Sequence, residues 1–225
     1  MLYDSLLELP LFQGMSRSDL DEAVSKTKFG FAKYAAHKTV VSEGQTLTCL
    51  YFLISGTLEA HACADNNSYS LTEHIVSPSV LQPERIFGLT QRYTHTFTSL
   101  TPCSFLRLEK AEVLRLAQTY EIFRLNLLNI VSTQSQKLTR LPWRTPPQTI
   151  RQKVVRFVED RSIRPTGTKT LNIKMETLAV LIGESRLNLS RCLNEMHAEG
   201  IIHISRAIIT IPSLEKLHEV AFSQP

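Results

Sequence analysis

No stretch of this 225-residue chain approaches the roughly 18 consecutive apolar residues of a membrane span, so no membrane partner is expected. The opening residues, MLYDSLLELPLFQGM, lack a basic lead and carry Asp4 and Glu8. They do not look like a secretory signal, and a cytoplasmic protein is the expectation. Cysteine is sparse and scattered, at Cys49, Cys63, Cys103 and Cys192, with no C-x-x-C pair. That spacing supports neither a disulfide framework nor a zinc site. Reduced, partly buried thiols are the simpler reading, and no metal is expected. There is no P-loop, no G-x-S-x-G, no H-E-x-x-H and no paired catalytic set, so an enzyme is not expected. Tryptophan occurs once, at Trp143.

What is present is an ordinary globular composition, 43% hydrophobic and 20% charged, in a chain long enough for two modest cores. The net charge of +4 is unevenly placed. Before residue 144 there are 13 Lys/Arg against 13 Asp/Glu; from Arg144 onward there are 12 against 8, a difference of +4. The basic excess therefore lies in the last third, as a domain that replaces counterions on phosphate would have it.

The texture of the chain changes three times. Residues 4–26 carry Leu6, Leu7, Leu11, Leu20 and Val24 at helical spacing, broken at Pro10 and Gly14. Ser16 followed by Asp19 offers a helix start. From Phe29 to about Leu108 short β-prone runs alternate with turn residues at Glu43-Gly44, Ser55-Gly56, Pro78, Pro83 and Gly88, the pattern of a compact all-β roll or barrel. From Glu109 about thirty residues pass without Gly or Pro. Phe123, Leu127, Ile130 and Gln134 follow a 4-3-4 spacing, with Leu128, Val131 and Leu138 beside them. This predicts a long helix that both packs on its own barrel and pairs with a second copy, the seam being Phe123, Leu127, Ile130 and Gln134. Leu141-Pro142-Trp143-Arg144-Thr145-Pro146-Pro147 then ends the helix as a stiff hinge, with Trp143 expected to plug a joint between domains.

The strongest signal follows. IRQKVVRFVEDRSI reads as a helix with Ile150, Val154, Phe157 and Val158 on one face. METLAVLIGESRLNLSRCLNEMHAEGIIHISRAIITI reads as helix, tight turn, helix and hairpin. Ala179 is small where a second helix crosses closely, Gly183 suits a left-handed turn, and Ser185 can cap the next helix. Leu189, Cys192, Leu193 and Met196 make the i, i+3, i+4, i+7 buried face, and Gly200 closes the helix. This is the spacing of a helix-turn-helix whose second helix enters the major groove. Arg186, Leu187, Ser190, Arg191, Asn194 and Glu195 fall on its outer face. Arginine is the usual bidentate reader of guanine and asparagine can read adenine. Ile201–Ile204 and Ile208–Ile211 form a hairpin wing with Arg206 at its tip, placed for backbone phosphate.

In this order of parts the chain resembles the family of the cyclic-AMP receptor protein and the fumarate-nitrate reduction regulator. The most specific stretch is GESRLNLSR, Gly183 to Arg191; Glu43-Gly44, Tyr51–Gly56 and Ile86-Phe87-Gly88 match the family's barrel turns. The resemblance implies base contacts for Arg186 and Arg191 and phosphate contacts for Ser185 and Asn188. Leu187 stands where the best-known member has an acidic residue that reads cytosine, so a different operator is expected. Members that bind a cyclic nucleotide have Gly-Glu, a loop, then Arg-Ser or Arg-Thr, the Glu holding the ribose hydroxyl and the Arg the phosphate. Here Leu89 follows Gly88, Tyr93-Thr94 fall at the Arg-Ser site, Arg92 is one residue off, and the loop is shorter. Gly88, Leu89, Arg92, Tyr93 and Thr94 are thus the candidate effector pocket, with cyclic AMP not expected to act in the usual way and no cofactor expected. Other members hold haem or an iron–sulfur cluster; the cysteines lack a cluster pattern, and His37, His61, His74 and His95 leave haem as a minor alternative.

The expected protein is an α+β, homodimeric, DNA-binding transcription regulator. Residues 1–118 would form a cyclic-nucleotide-binding-like jelly-roll sensor with N-terminal helices, 119–141 a long dimerisation helix, 142–147 a hinge and 148–225 a winged helix-turn-helix. Its expected DNA contacts are Ser185, Arg186, Leu187, Asn188, Arg191 and Arg206, its partners double-stranded DNA and RNA polymerase. The rival readings are a cyclic-nucleotide-sensing module acting through protein contacts and a haem-based gas sensor.

Overall fold

The structure, a computed structural model, describes residues 6–222; the first two residues of the expected N-terminal helical stretch, Asp4 and Ser5, lie outside them. The chain divides into two compact units. One comprises the residues up to Glu59 together with Ile75–Arg144, the other Ala60–His74 together with Thr145 onward.

The first unit opens with helix α1 (Arg17–Lys26), started as its sequence implies: the Ser16 hydroxyl accepts the Asp19 backbone N–H at 3.1 Å. Along the chain strands follow at β1 (Phe29–Tyr34), β2 (Thr39–Val41), β3 (Cys49–Ser55), β4 (Thr57–Cys63), β5 (Tyr69–Val76), β6 (Ser79–Val80), β7 (Thr96–Ser99) and β8 (Cys103–Glu109), most of β4 and β5 belonging to the second unit. One antiparallel sheet runs β1-β8-β3-β6. Its two faces are sorted by the two-residue period of a strand. Leu50, Phe52, Leu106 and Leu108 are fully buried on one face. There Phe12 brings its ring to 5.7 Å from Phe52 and 5.1 Å, edge on, from Phe123. The other face carries Cys49, Leu53, Cys103 and Phe105, with Tyr34 and Tyr51 edge on to Phe105 at 5.6 and 5.7 Å. The β3–β4 turn is tight: Gly56 has φ +102, and a Cβ there would lie 2.6 Å from the Pro102 carbonyl oxygen.

The helical run after the barrel differs from expectation. It is two helices, α2 (Lys110–Thr119) and α3 (Glu121–Arg140), separated at Tyr120, whose extended backbone (φ −111, ψ 113) caps α3. Neither Pro nor Gly is needed for the break, because Tyr120 is itself drawn into the core. The predicted pairing seam lies in part against its own chain, as expected of a helix that also packs on its barrel. Phe123 and Leu127 are buried in their own chain and Ile130 and Gln134 are half-buried beside them. The apolar residues left exposed on α3 are Ile122, Leu125, Leu128, Val131 and Leu138. At 100° per residue, Val131 and Leu128 point about a fifth and a third of a turn away from the buried stripe. Trp143, in the turn Leu141–Trp143, is 87% exposed.

The second unit begins its main stretch with α4 (Ile150–Glu159). A complete capping box sets it: the Thr149 hydroxyl accepts the Gln152 N–H, and the Gln152 side chain reaches back to the Thr149 N–H. Then come β9 (Lys169–Ile173), α5 (Met175–Ile182), α6 (Arg186–Ala198), β10 (His203–Ser205), β11 (Ile208–Ile211) and α7 (Leu214–Phe222). Neither β9 nor α7 was expected. The wing hairpin pairs His203↔Thr210 to Ser205↔Ile208, and β11 pairs antiparallel with β9.

The other edge of β9 is taken by β5. Tyr69↔Ile173 through Glu73↔Lys169 form an antiparallel ladder, which puts Leu71 into the core with Leu171, Ile209, Val158 and Leu193. Arg161 donates to the Tyr69 hydroxyl at 2.8 Å and lies 3.8 Å from the centre of the Phe157 ring. At the ladder's end Lys169 Nζ meets Glu73 Oε2 at 2.5 Å, each side chain 1% exposed. Glu73 also accepts the backbone N–H groups of Ile163 and Arg164, at 2.6 and 3.3 Å, and Lys169 donates to the Thr166 carbonyl at 2.9 Å. A buried charge needs this degree of pairing. The expected linear division therefore gives way to one in which residues 60–74 belong with the second unit, while the cut at 144/145 falls inside the stretch read as a hinge.

Candidate nucleic-acid interface

The frame that carries the outer face of α6 is built by a few residues. Gly183 ends α5 with φ 67, ψ 44, a left-handed conformation costly for other residues. The Glu184 N–H returns to the Ala179 carbonyl at 2.9 Å. Ala179 and Leu178 are buried, as are Leu189, Leu193 and Met196 on α6. Ser185 caps α6 by accepting the Asn188 N–H at 3.1 Å. The turn is fixed from outside by Lys153, which meets Glu184 at 2.5 Å, and Arg151 ties α4 to Glu199 at 2.7 Å. These ties were not foreseen. Cys192 is only partly buried, and that burial pushes its thiol up from its ordinary pKa.

With one face buried, α6 presents the other freely. Leu187, Ser190, Arg191, Asn194, Glu195 and Ala198 line a shallow depression of about 510 Å³. A neighbouring one of about 460 Å³ joins Asn188, Arg191 and Glu195 to Thr149, Ile150 and Arg151 at the start of α4. The predicted contact residues Ser185, Arg186, Leu187, Asn188 and Arg191 thus share the exposed beginning of one helix. Arg186 is held by Glu176 at 3.0 Å, both about two-thirds exposed; no comparable ion pair holds Arg191 among the described residues. Arg206 lies in the two-residue turn between Ser205 and Ile208, beside Ala207 at φ 58, and is exposed at the tip.

The candidate effector residues do not form a polar cup. Leu89 is fully exposed. Arg92 is exposed and donates to the Gly44 carbonyl at 2.7 Å. Tyr93 is buried, its hydroxyl donating to the Cys49 carbonyl at 3.3 Å and its ring near Phe97; burial pushes its phenol up. Thr94 bonds to the Gln82 side chain, and the Gly88 carbonyl accepts from Gln91. A cyclic nucleotide asks for a guanidinium facing its phosphate and an acceptor for its ribose hydroxyl, and these residues do not fit it. Of the histidines considered for haem, His95 contacts Gln82 and Thr94, and His61 contacts Thr72 and Cys63; His37 and His74 are exposed. Among the described residues no helix is long and apolar enough to cross a membrane.

A β-roll followed by a winged helix-turn-helix with a free recognition face defines a DNA-binding regulator. Residues 31–120 match the model of the cyclic nucleotide-binding domain, and residues 152–220 that of the Crp-like helix-turn-helix domain. The chain belongs to the Crp/Fnr family of transcription regulators. Its fold is similar to that of the Thermus thermophilus catabolite activator protein, at 19% identity and a TM-score of 0.52 over 95% of this chain and 99% of that one. It is also similar to the sensor domain of the transcriptional regulator DNR from Pseudomonas aeruginosa, at 20% identity and a TM-score of 0.53 over 62% of this chain and 92% of that one. No curated protein sequence matches it.

Proposed function

We propose that a homodimer of this chain binds a near-palindromic operator, each α6 entering the major groove of one half-site. The observation that carries this reading is the exposed polar face of α6, with Arg191 outside any ion pair among the described residues, over a complete helix-turn-helix frame. Arg191 would read a base edge. Arg186 would exchange Glu176 for DNA at small cost, since exposed ion pairs contribute about 0–1 kcal/mol. The Ser185 hydroxyl, Asn188 and Arg206 would hold phosphate. Dimerisation is assigned to Leu125, Leu128, Val131 and Leu138, the apolar side chains α3 leaves exposed. Two recognition helices roughly 34 Å apart then meet successive turns of one duplex face. RNA polymerase is the partner such a regulator would address. The effector, if there is one, is not a cyclic nucleotide held in the family's usual way, because Leu89 and Tyr93 supply neither carboxylate nor guanidinium and Arg92 is committed to Gly44.

Sedimentation and a randomised-duplex selection test this together. Wild type is expected to sediment as a dimer at micromolar concentration and to enrich a palindrome. Leu128→Arg should give folded monomers that lose tight binding. Leu127→Arg, in contrast, should unfold the barrel. Arg191→Ala should cost about 1–3 kcal/mol and relax one position, whereas Arg206→Ala should weaken all duplexes alike and lower the salt slope. A monomeric wild type, or one that enriches no sequence, refutes the proposal.

A further inference from the structure

Leu187 is the anomaly of the recognition face. It stands in the first turn of α6, two residues after the Ser185 cap, and is 69% exposed. It lines the same depression as Ser190, Arg191 and Asn194. A single exposed leucine is unremarkable on most surfaces, but this one occupies a position from which a helix meets base edges.

We infer that Leu187 reads the C5-methyl group of a thymine, an inference that rests on the operator-binding reading above. Among the groups displayed in the major groove, that methyl is the apolar one; the others are hydrogen-bond donors and acceptors. Leucine has no polar side-chain atom, so against guanine, adenine or cytosine it would cover a donor or acceptor without replacing the water bonded to it. Against thymine it would bury a methyl group. Its neighbours fix the register of the contact. Leu187 lies on the wall that also carries Ser190, Arg191 and Asn194, while Arg186, beside it, starts from its exposed pair with Glu176 at 3.0 Å. Arg191 is four residues on, on the same helix face and about 6 Å along the axis. Base pairs are spaced about 3.4 Å apart. The half-site should therefore hold a thymine contacted by Leu187 within about two base pairs of a guanine contacted by Arg191.

The test uses the full chain and a duplex taken from the randomised selection. Each thymine in one half-site is replaced singly by deoxyuridine, which differs only by the methyl group, and affinity is read by fluorescence anisotropy. At one thymine the replacement should weaken binding about fourfold, the worth of one buried methyl, and about 16-fold when made in both half-sites. Leu187→Ala should fold normally, given its exposure, and bind thymine and deoxyuridine duplexes equally at that position. Cytosine at that position should gain affinity on 5-methylation in wild type and not in Leu187→Ala. A protein that enriches no sequence overturns operator binding itself. One that enriches a sequence but ignores every thymine methyl, or whose methyl dependence survives in Leu187→Ala, overturns the assignment to Leu187 alone.

Discussion

The ion pair of Glu73 and Lys169 makes the sharpest demand on the fold. Both side chains are 1% exposed and meet at 2.5 Å, and Glu73 holds two further backbone N–H groups, those of Ile163 and Arg164. Replacing Glu73 by Leu leaves a buried ammonium with one remaining acceptor, the Thr166 carbonyl, and two backbone donors without theirs. Removing one partner of a buried pair costs about 3–5 kcal/mol, and each stranded backbone donor adds about 1 kcal/mol or more. That is comparable with the whole stability of a domain, about 5–15 kcal/mol. Lys169→Met should cost less, because the carboxylate keeps its two backbone donors. Glu73→Leu/Lys169→Leu removes both charges and should recover part of the loss. Urea denaturation of the four proteins gives the double-mutant cycle, with a coupling above about 2 kcal/mol expected. Hydrogen exchange at residues 169–173 locates the damage in the β5–β9 ladder. A coupling near zero, or Glu73→Leu unfolding at the wild-type urea midpoint, would refute the reasoning.

Two further perturbations follow from the barrel and the thiols. Gly56→Ala must place a methyl 2.6 Å from the Pro102 carbonyl oxygen and 2.7 Å from Cys103 Sγ at a φ of +102; it should destabilise by about 3 kcal/mol or more, and an unchanged melting temperature would contradict the tight turn. Cys63 is exposed and should react first with a thiol reagent, read by mass spectrometry after peptide digestion. Cys192 should lag and speed up as pH rises, since burial raises its pKa and lowers its thiolate fraction at a given pH. Cys49 and Cys103, buried in the barrel, should wait for unfolding. Labelling of Cys103 ahead of Cys63 would falsify this order.

The helix-turn-helix was legible because each of its constraints is local. Ala179, Gly183, Ser185 and the Leu189–Leu193–Met196 spacing each report one backbone or packing requirement within twenty residues. The barrel strands were legible for a similar reason, since Gly44, Gly56 and Gly88 punctuate them. What covers the apolar stripe of α3 was legible only in part. Its 4-3-4 spacing is real, but the period says only that a stripe is apolar, not what covers it. Phe12, more than a hundred residues earlier, meets Phe123 and claims that stripe in cis. The effector loop was legible by position but not by orientation: Leu89 is fully exposed and Tyr93 lies in the core. Strand β9 is only five residues long and owes its place to partners from two other segments, which no window on its own residues can contain.

The strand that β5 supplies to β9 also bears on how such a protein can be altered. The chain crosses between its two units at 59/60, 74/75 and 144/145, so the DNA-reading unit is discontinuous in sequence. A chimaera joined once, near residue 145, would transplant the recognition helix without Tyr69, Leu71 and Glu73, leaving Lys169 charged among apolar neighbours and one edge of β9 unpaired. Exchange of reading heads between relatives therefore requires two grafts that change together. Substitutions in residues 69–73 are constrained by the head they serve, even though they are encoded within the sensor.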